Sequence, residues 1–280
     1  GIAFVAQSVG MDYMGPCTFN ASRFLIGGVV LLPVIWTKER MEAKKGATGA
    51  PAKKNKSGAL LPGGVCCGIA LCAASLLQQF GIRYTSVGKA GFLTTLYIVI
   101  VPLFGLIVHK TVTKLQWLSV FIAAVGMYFI CITENFSVNY GDMIILACAC
   151  FFALHIITIE RFSVLVDGVR MSLLQFAVCG ILSLPAIFFY ETPSWEALDQ
   201  AWLPILYAGI MSCGIAYTLQ ILGQKYVNVI LASIILSMES VFSVFAGWLL
   251  LGEQLSLREI GGCVLVFAAI LLAQMPPKQQ

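Results

Sequence analysis

The chain has 280 residues, 59% of them hydrophobic and 11% charged, with a formal net charge of +4. A soluble domain carries about one quarter charged residues, so water is excluded as the solvent for most of this surface, which leaves the bilayer. No stretch between the apolar runs is long enough to fold as a separate soluble domain, so a single membrane domain is expected.

A helix rising about 1.5 Å per residue needs about 20 residues to cross roughly 30 Å of hydrocarbon. The opening segment reaches Asp12 without a basic start or a small-residue cleavage site, and reads as a clipped first helix. Nine full spans follow, near 17–36, 58–81, 88–109, 115–133, 141–160, 169–190, 201–223, 227–251 and 257–275. Between the first two, the Lys, Gly, Ala and Pro composition of 41–57 reads as a flexible linker, with a lipid-binding basic patch as the alternative. Segments such as Ile260 to Ala273 are apolar on every face, which rejects the strict alternation of a membrane β-barrel. The fold class expected is therefore an all-α polytopic membrane protein with ten transmembrane helices. The ten cysteines lie nearly all inside apolar runs, where they read as small buried residues. His109 and His155 are the only histidines and no C-x-x-C occurs, so neither a metal nor a cofactor is expected.

Lys and Arg are retained in short cytoplasmic loops far more than acids are. One side collects Lys38, Arg40, Lys44, Lys45, Lys53, Lys54, Lys56, Lys110, Lys114, Arg161, Arg170, Lys225 and Lys278, whereas the other holds Arg83, Lys89 and Arg258 beside Glu134, Glu191, Glu196, Asp199 and Glu253. The imbalance places both termini and the 37–57 loop in the cytoplasm of a multi-pass plasma-membrane protein.

Sliding the chain against itself by 142 residues aligns Ala59, Leu61, Pro62, Leu77, Gln78, Gly81, Tyr84, Val87, Ala90 and Gly105 with Ala201, Leu203, Pro204, Leu219, Gln220, Gly223, Tyr226, Val229, Ala232 and Gly247. Arg83 meets Lys225 in the same frame, and the polar pattern Q-x-x-G-x-[RK]-Y-x-x-V-x-x-A is shared across a helix end and the next helix start. Each half, 1–134 and 135–280, then holds five helices. An odd number of spans inverts the second half, and inverted repeats point to alternating access.

The stretch S-M-E-S-V-F-S-V-F-A-G-W-L-L-L-G-E-Q-L-S at 237–256, with F-N-A-S-R-F-L-I-G at 19–27 and Y-T-S-V-G-K-A-G-F-L-T-T-L-Y at 84–97, resembles the EamA-type drug/metabolite transporters. The resemblance implies ten helices in two inverted five-helix repeats and export of a small metabolite. Ser240 stands where the family usually has proline after the glutamate of the ninth helix, which leaves a kink there open.

Ionisable groups within a membrane span usually face the bundle interior or a wet cavity. Glu239 sits mid-way along the ninth span, beyond the reach of snorkelling. It reads as a substrate or proton site, or else as a protonated structural carboxyl. Gln78, Gln79, Thr94, Tyr97, His155, Tyr217 and Gln220 are polar groups near the same depth, each also suited to interhelical hydrogen bonding. Tyr217, Gln220 and Gln224 share one helical face by spacing. Ser233, Ser237 and Ser240 read as a packing stripe, and Arg23 as a snorkelling or packing residue. With cations scarce at mid-depth, a polyanion fits poorly and an amino-acid-like, neutral or cationic metabolite fits better. The function expected is a secondary transporter, with the bilayer and a small-molecule substrate as partners, protons as the candidate coupling ion and a homodimer as the candidate assembly. A membrane-embedded enzyme and a polytopic sensor are the alternatives. The first lacks clustered His, Asp or Glu and the second lacks a soluble output segment; no catalytic residue and no nucleic-acid partner are expected. A single cysteine at position 48, in a cysteine-free background, is expected to resist an impermeant thiol reagent added outside intact cells; labelling there would reverse the topology.

Overall fold

The computed structural model describes residues 2–46, 57–85, 87–107, 112–131, 139–242, 249 and 256–275. Every regular element among them is a helix: α1 (Ile2–Met11), α2 (Pro16–Gly46), α3 (Ser57–Ile82), α4 (Val87–Thr95), α5 (Tyr97–Ile107), α6 (Lys114–Cys131), α7 (Tyr140–Ser163), α8 (Gly168–Tyr190), α9 (Trp195–Gln200), α10 (Trp202–Tyr207), a π-helical segment (Ala208–Tyr217), α11 (Thr218–Gln224), α12 (Val229–Leu236) and α13 (Leu257–Gln274). Seven stretches among the described residues are long and apolar enough to cross a membrane: Pro16–Lys44, Gly58–Ile82, Ala90–Ile107, Tyr140–Ser163, Gly168–Tyr190, Trp202–Gln224 and Leu257–Gln274. Shorter apolar helices, Ile2–Met11, Lys114–Ile130 and Val229–Phe242, fall where the other three segments were expected.

Helix starts expose backbone N–H groups that hydrocarbon cannot satisfy, and side chains close them here. Asp167 Oδ1 accepts from the amides of Val169 and Arg170 at 3.1 and 3.0 Å at the head of α8. Asn228 accepts from the Leu231 amide at 2.8 Å on α12, and Ser256 and Glu259 form a reciprocal capping box on α13. Asn139 with Asp142 and Thr113 with Gln116 make the same reciprocal arrangement at α7 and α6. The cap of α2 comes from far away in sequence. Glu191 accepts from the amides of Cys17 and Thr18 at 2.6 and 2.8 Å and from the Thr18 hydroxyl at 2.6 Å.

Three expectations are corrected. First, α2 does not end at 36 but runs to Gly46, so residues 41–46 are helical rather than linker; 47–56 lie outside the described residues. Its extension is rich in good helix formers and is anchored by an ion pair from Lys38 to Asp167, by Arg170 to Glu39 at 2.8 Å, and by Arg40 over the Trp36 ring at 3.8 Å. Second, the fourth and ninth spans are not continuous. Leu96 and Ser237 are turns, dividing α4 from α5 and ending α12. Thr95 donates its hydroxyl to the carbonyls of Gly91 and Phe92 at 3.1 and 2.8 Å, Ser233 donates to Ile230 at 2.8 Å and Ser237 to Ile234 at 2.6 Å. These bonds compete with the helix ladder, and Pro102 removes another ladder donor from α5. The break in the ninth span falls three residues before Ser240 and needs no proline; 243–248 and 250–255, with Glu253, lie outside the described residues, as do His109 and Glu134. Third, the span at 201–223 is not uniform α-helix but contains ten π-helical residues.

The chain forms two compact units, Gly1–Ser8 with Ala73–Ile157 and Val227–Gln280, and Val9–Cys72 with Thr158–Tyr226. Each draws on both halves of the sequence, and α1, α3 and α7 contribute to both. In the first unit α6 packs along α13. The backbones nearly touch at Gly126 and Gly262, where a Cβ on Gly262 would lie 2.6 Å from the Gly126 carbonyl oxygen. In the second, α2 packs on α8 and on the π-helical segment. A Cβ on Gly209 would lie 3.2 Å from the Arg23 carbonyl oxygen, and one on Gly27 2.6 Å from Cys213 Cβ. Small residues supply such approaches in membranes, where helix association rests on packing rather than on a hydrophobic difference.

Gly262→Val should destabilise the protein by about 1–3 kcal/mol, because the obstructing atom is backbone. Gly261→Ala, with open space around the new Cβ, should leave the detergent melting temperature unchanged or slightly raised. At Asp167, partial burial raises the carboxyl pKa, but the Lys38 ammonium and the amides of Arg170 and Val169 outweigh it and hold the group below the ordinary carboxylate value. The folded state therefore gains from its ionisation above about pH 4, and that gain is lost as pH falls through the depressed value. Melting temperature measured from pH 6 downward should fall less steeply in Asp167→Asn, which keeps the cap but removes the ion pair.

Candidate functional site

Six of the eight residues singled out from the sequence lie in the first unit: Gln78, Gln79, Thr94, Tyr97, His155 and Glu239. Gln78 and Thr94 are brought together, Gln78 Nε2 donating to Thr94 Oγ1 at 3.4 Å, with both side chains buried. Gln79 turns elsewhere, to Gln7 of α1 at 2.5 Å, and its own Oε1 is buried without a hydrogen bond. His155 is fully buried on α7. Tyr97 and Glu239 each follow an interrupted helix: Tyr97 opens α5 directly after the turn at Leu96, and Glu239 comes two residues after the turn at Ser237. The two are separated by the repeat offset of 142, and so are Thr95 and Ser237, whose hydroxyls bond back into their own helices. Glu239 is exposed, whereas Ser237 and Ser240 beside it are buried. The serine stripe thus packs while the carboxylate points away from the packed face.

Tyr217 and Gln220 lie in the second unit. Tyr217 closes the π-helical segment, half-buried, with its ring 6.2 Å from Phe24 and 6.4 Å from Phe176, which are themselves 5.9 Å apart. Gln220 Nε2 reaches Gln224 Oε1 at 3.5 Å, in keeping with a shared face, and Gln224 Nε2 is buried without a hydrogen bond.

The second unit also holds a group that spacing alone undervalued. Arg23 does not snorkel: it is 2% exposed, with its guanidinium 4.8 Å from the Phe24 ring centre and 5.8 Å from that of Phe19. Nε and Nη2 both donate to Asn20 Oδ1, at 3.2 and 2.9 Å. Asn20 is held in turn, its Nδ2 donating to Ser183 Oγ at 3.0 Å, and Ser183 donating to the Cys179 carbonyl at 2.8 Å. No ion pair to Arg23 exists among the described residues. Its position seven residues into α2 suggested reach to the membrane surface; the close approach of the π-helical segment, invisible to hydropathy, encloses it instead. Among the described residues no group of three or more His, Cys, Asp or Glu side chains could hold a metal ion.

The chain is similar to known proteins over almost its whole length. The EamA-like transporter family model matches twice, over residues 1–132 and 139–275. An uncharacterized transporter of Archaeoglobus fulgidus is 29% identical over 276 residues, covering 98% of this chain and 82% of that protein. The uncharacterized transporter YoaV of Bacillus subtilis is 22% identical, covering 97% and 91% respectively. A solved crystal structure superposes with a TM-score of 0.76 at 16% identity, covering 97% of this chain and 93% of the other, which speaks for the fold. With apolar helices of spanning length and a family match across both halves, the chain belongs to the EamA-like transporter family and is a multi-pass membrane transporter.

Proposed function

We propose that the chain is a secondary transporter that exports a small, amino-acid-like metabolite, neutral or cationic, by alternating access, in the plasma membrane with both termini cytoplasmic. Its halves, 1–134 and 135–280, act as inverted five-helix repeats. The family model matching each half in turn supports this, as does the pairing of Thr95 with Ser237 and of Tyr97 with Glu239 at the repeat offset. The ties of Lys38 to Asp167 and of Arg170 to Glu39 put the basic stretch after the second span beside the 161–170 corner, as a common cytoplasmic side requires.

The observation that carries the reading is an exposed carboxylate, Glu239, beside an interruption in an apolar helix. A charge half-way across a bilayer is too costly to face lipid, so a wet cavity accounts for it. Interrupted helices in corresponding positions of two repeats are where transporters place substrate and ion sites, because the freed backbone groups are tolerated only beside a cavity. Glu239 binds a proton or the cationic group of the substrate in alternation, so occupancy by one expels the other. Gln78, Thr94 and Tyr97 supply polar contacts in the same unit.

Glu239→Gln keeps the shape and removes the titration. In proteoliposomes this variant should fold and bind substrate while its transport rate loses dependence on pH and on an imposed proton gradient. An unchanged pH profile would exclude the coupling role, and a failure to fold would return Glu239 to a structural part.

A further inference from the structure

We propose that Arg23 is the anchor for a carboxylate on the transported metabolite, held in a subsite within the second unit that Arg23, Asn20 and the aromatic rings around them form. The inference rests on the transporter reading and narrows its substrate class: the neutral, amino-acid-like metabolite carries a free carboxylate.

A guanidinium has five N–H donors on two edges, and a carboxylate fits either edge as a parallel fork. In Arg23 the side edge, Nε with Nη2, is used by Asn20 Oδ1. The end edge, Nη1 with the second proton of Nη2, makes no hydrogen bond among the described residues. A cation that is 98% buried is expected to be paired, since desolvation disfavours it strongly unless an opposite charge compensates. Asn20 supplies only a neutral oxygen, and the Phe19 and Phe24 rings offer the weak attraction of a π face. What the site lacks is a single negative charge with two oxygens in one plane.

The surroundings are built to hold the fork still. Ser183 and the Cys179 carbonyl orient the Asn20 amide, which fixes the plane of the guanidinium. Phe24, Phe176 and Tyr217 form an aromatic cluster against it, and Tyr217, half-buried, is its open member. Tyr217 also ends the π-helical segment, and such segments often mark functional sites. The subsite therefore suits a carboxylate attached to a compact apolar or aromatic body. A phosphate would bring a second charge, and among the described residues no second cation is recorded beside Arg23 to meet it.

The test uses the full chain purified in detergent, with the common L-α-amino acids, their α-amides and inorganic phosphate as probes. One or more acids should raise the melting temperature of the wild type while the matching amides and phosphate do not. Arg23→Gln should weaken acid binding roughly ten- to a hundredfold, the scale of hydrogen bonds to a charged group, and Arg23→Lys should recover part of it. Asn20→Asp places a carboxylate of the protein beside the guanidinium. It should preserve or raise the melting temperature of the empty protein and weaken acid binding by a similar factor, an outcome that a purely structural arginine would not give. Equal binding of acids and amides by the wild type overturns the proposal without recourse to any variant. So do wild-type affinity for acids in Arg23→Gln, stabilisation by phosphate as strong as by the acids, and the absence of binding by every acid. Counterflow in proteoliposomes separates the two readings. Exchange of amides or amines that is indifferent to Arg23→Gln keeps the transporter and discards the carboxylate subsite. Arg23-dependent acid binding with no exchange of any compound keeps the subsite and discards transport.

Discussion

A bilayer supplies no hydrogen bonds, so every polar group in this chain must find its partner within the protein or line water. Most of the local structure follows from that constraint. Helix starts are closed by Asp167, Asn228, Ser256, Asn139 and Thr113 rather than left to solvent. Hydroxyls buried along the spans bond back to carbonyls of their own helix, as Ser119, Ser172 and Ser183 do to the residue four before. Thr95 and Ser237 do so at the two turns that interrupt the fourth and ninth spans.

The second constraint is distance. Apolar side chains gain nothing by leaving lipid for one another, so contact must come from close fit. Gly126 against Gly262 lets two backbones meet, and Gly27 and Gly209 let α2 and the π-helical segment approach until Cys213 and Ile26 pack directly on the glycine backbone. Arg258 of α13 adds a polar tie to the α6–α13 pair, lying 5.3 and 5.8 Å from the ring centres of Tyr128 and Phe129 on α6.

Hydropathy and length located the apolar segments closely because they read the solvent, and the bilayer is uniform along each span. Polar residues at depth were legible for the same reason: Gln78, Thr94 and Tyr97 are buried in the protein as their placement demanded. Interruptions were not, since Leu96 and Ser237 depend on which carbonyl a hydroxyl chooses, a competition that residue spacing does not encode. The π-helical run from Ala208 to Tyr217 escaped for a related reason: small residues mark close packing without telling one helix type from another. Arg23 was undervalued because its depth was measured from its own helix end, whereas the neighbouring backbone decides its exposure.

The cap on α2 has a consequence for how the molecule comes into being. The amides of Cys17 and Thr18 are answered by a carboxylate 174 and 173 residues later in the chain. During synthesis the N-terminal portion enters the membrane long before Glu191 has been made, so the head of α2 must rely on water or on the insertion machinery in the interval. Arrival of α8 closes it, and with Asn20 meeting Ser183 on the same pair of helices, the two contacts act as a clasp that can fasten only once α8 has been made. Maturation of this unit therefore waits on the second half of the chain, however early its first helices insert.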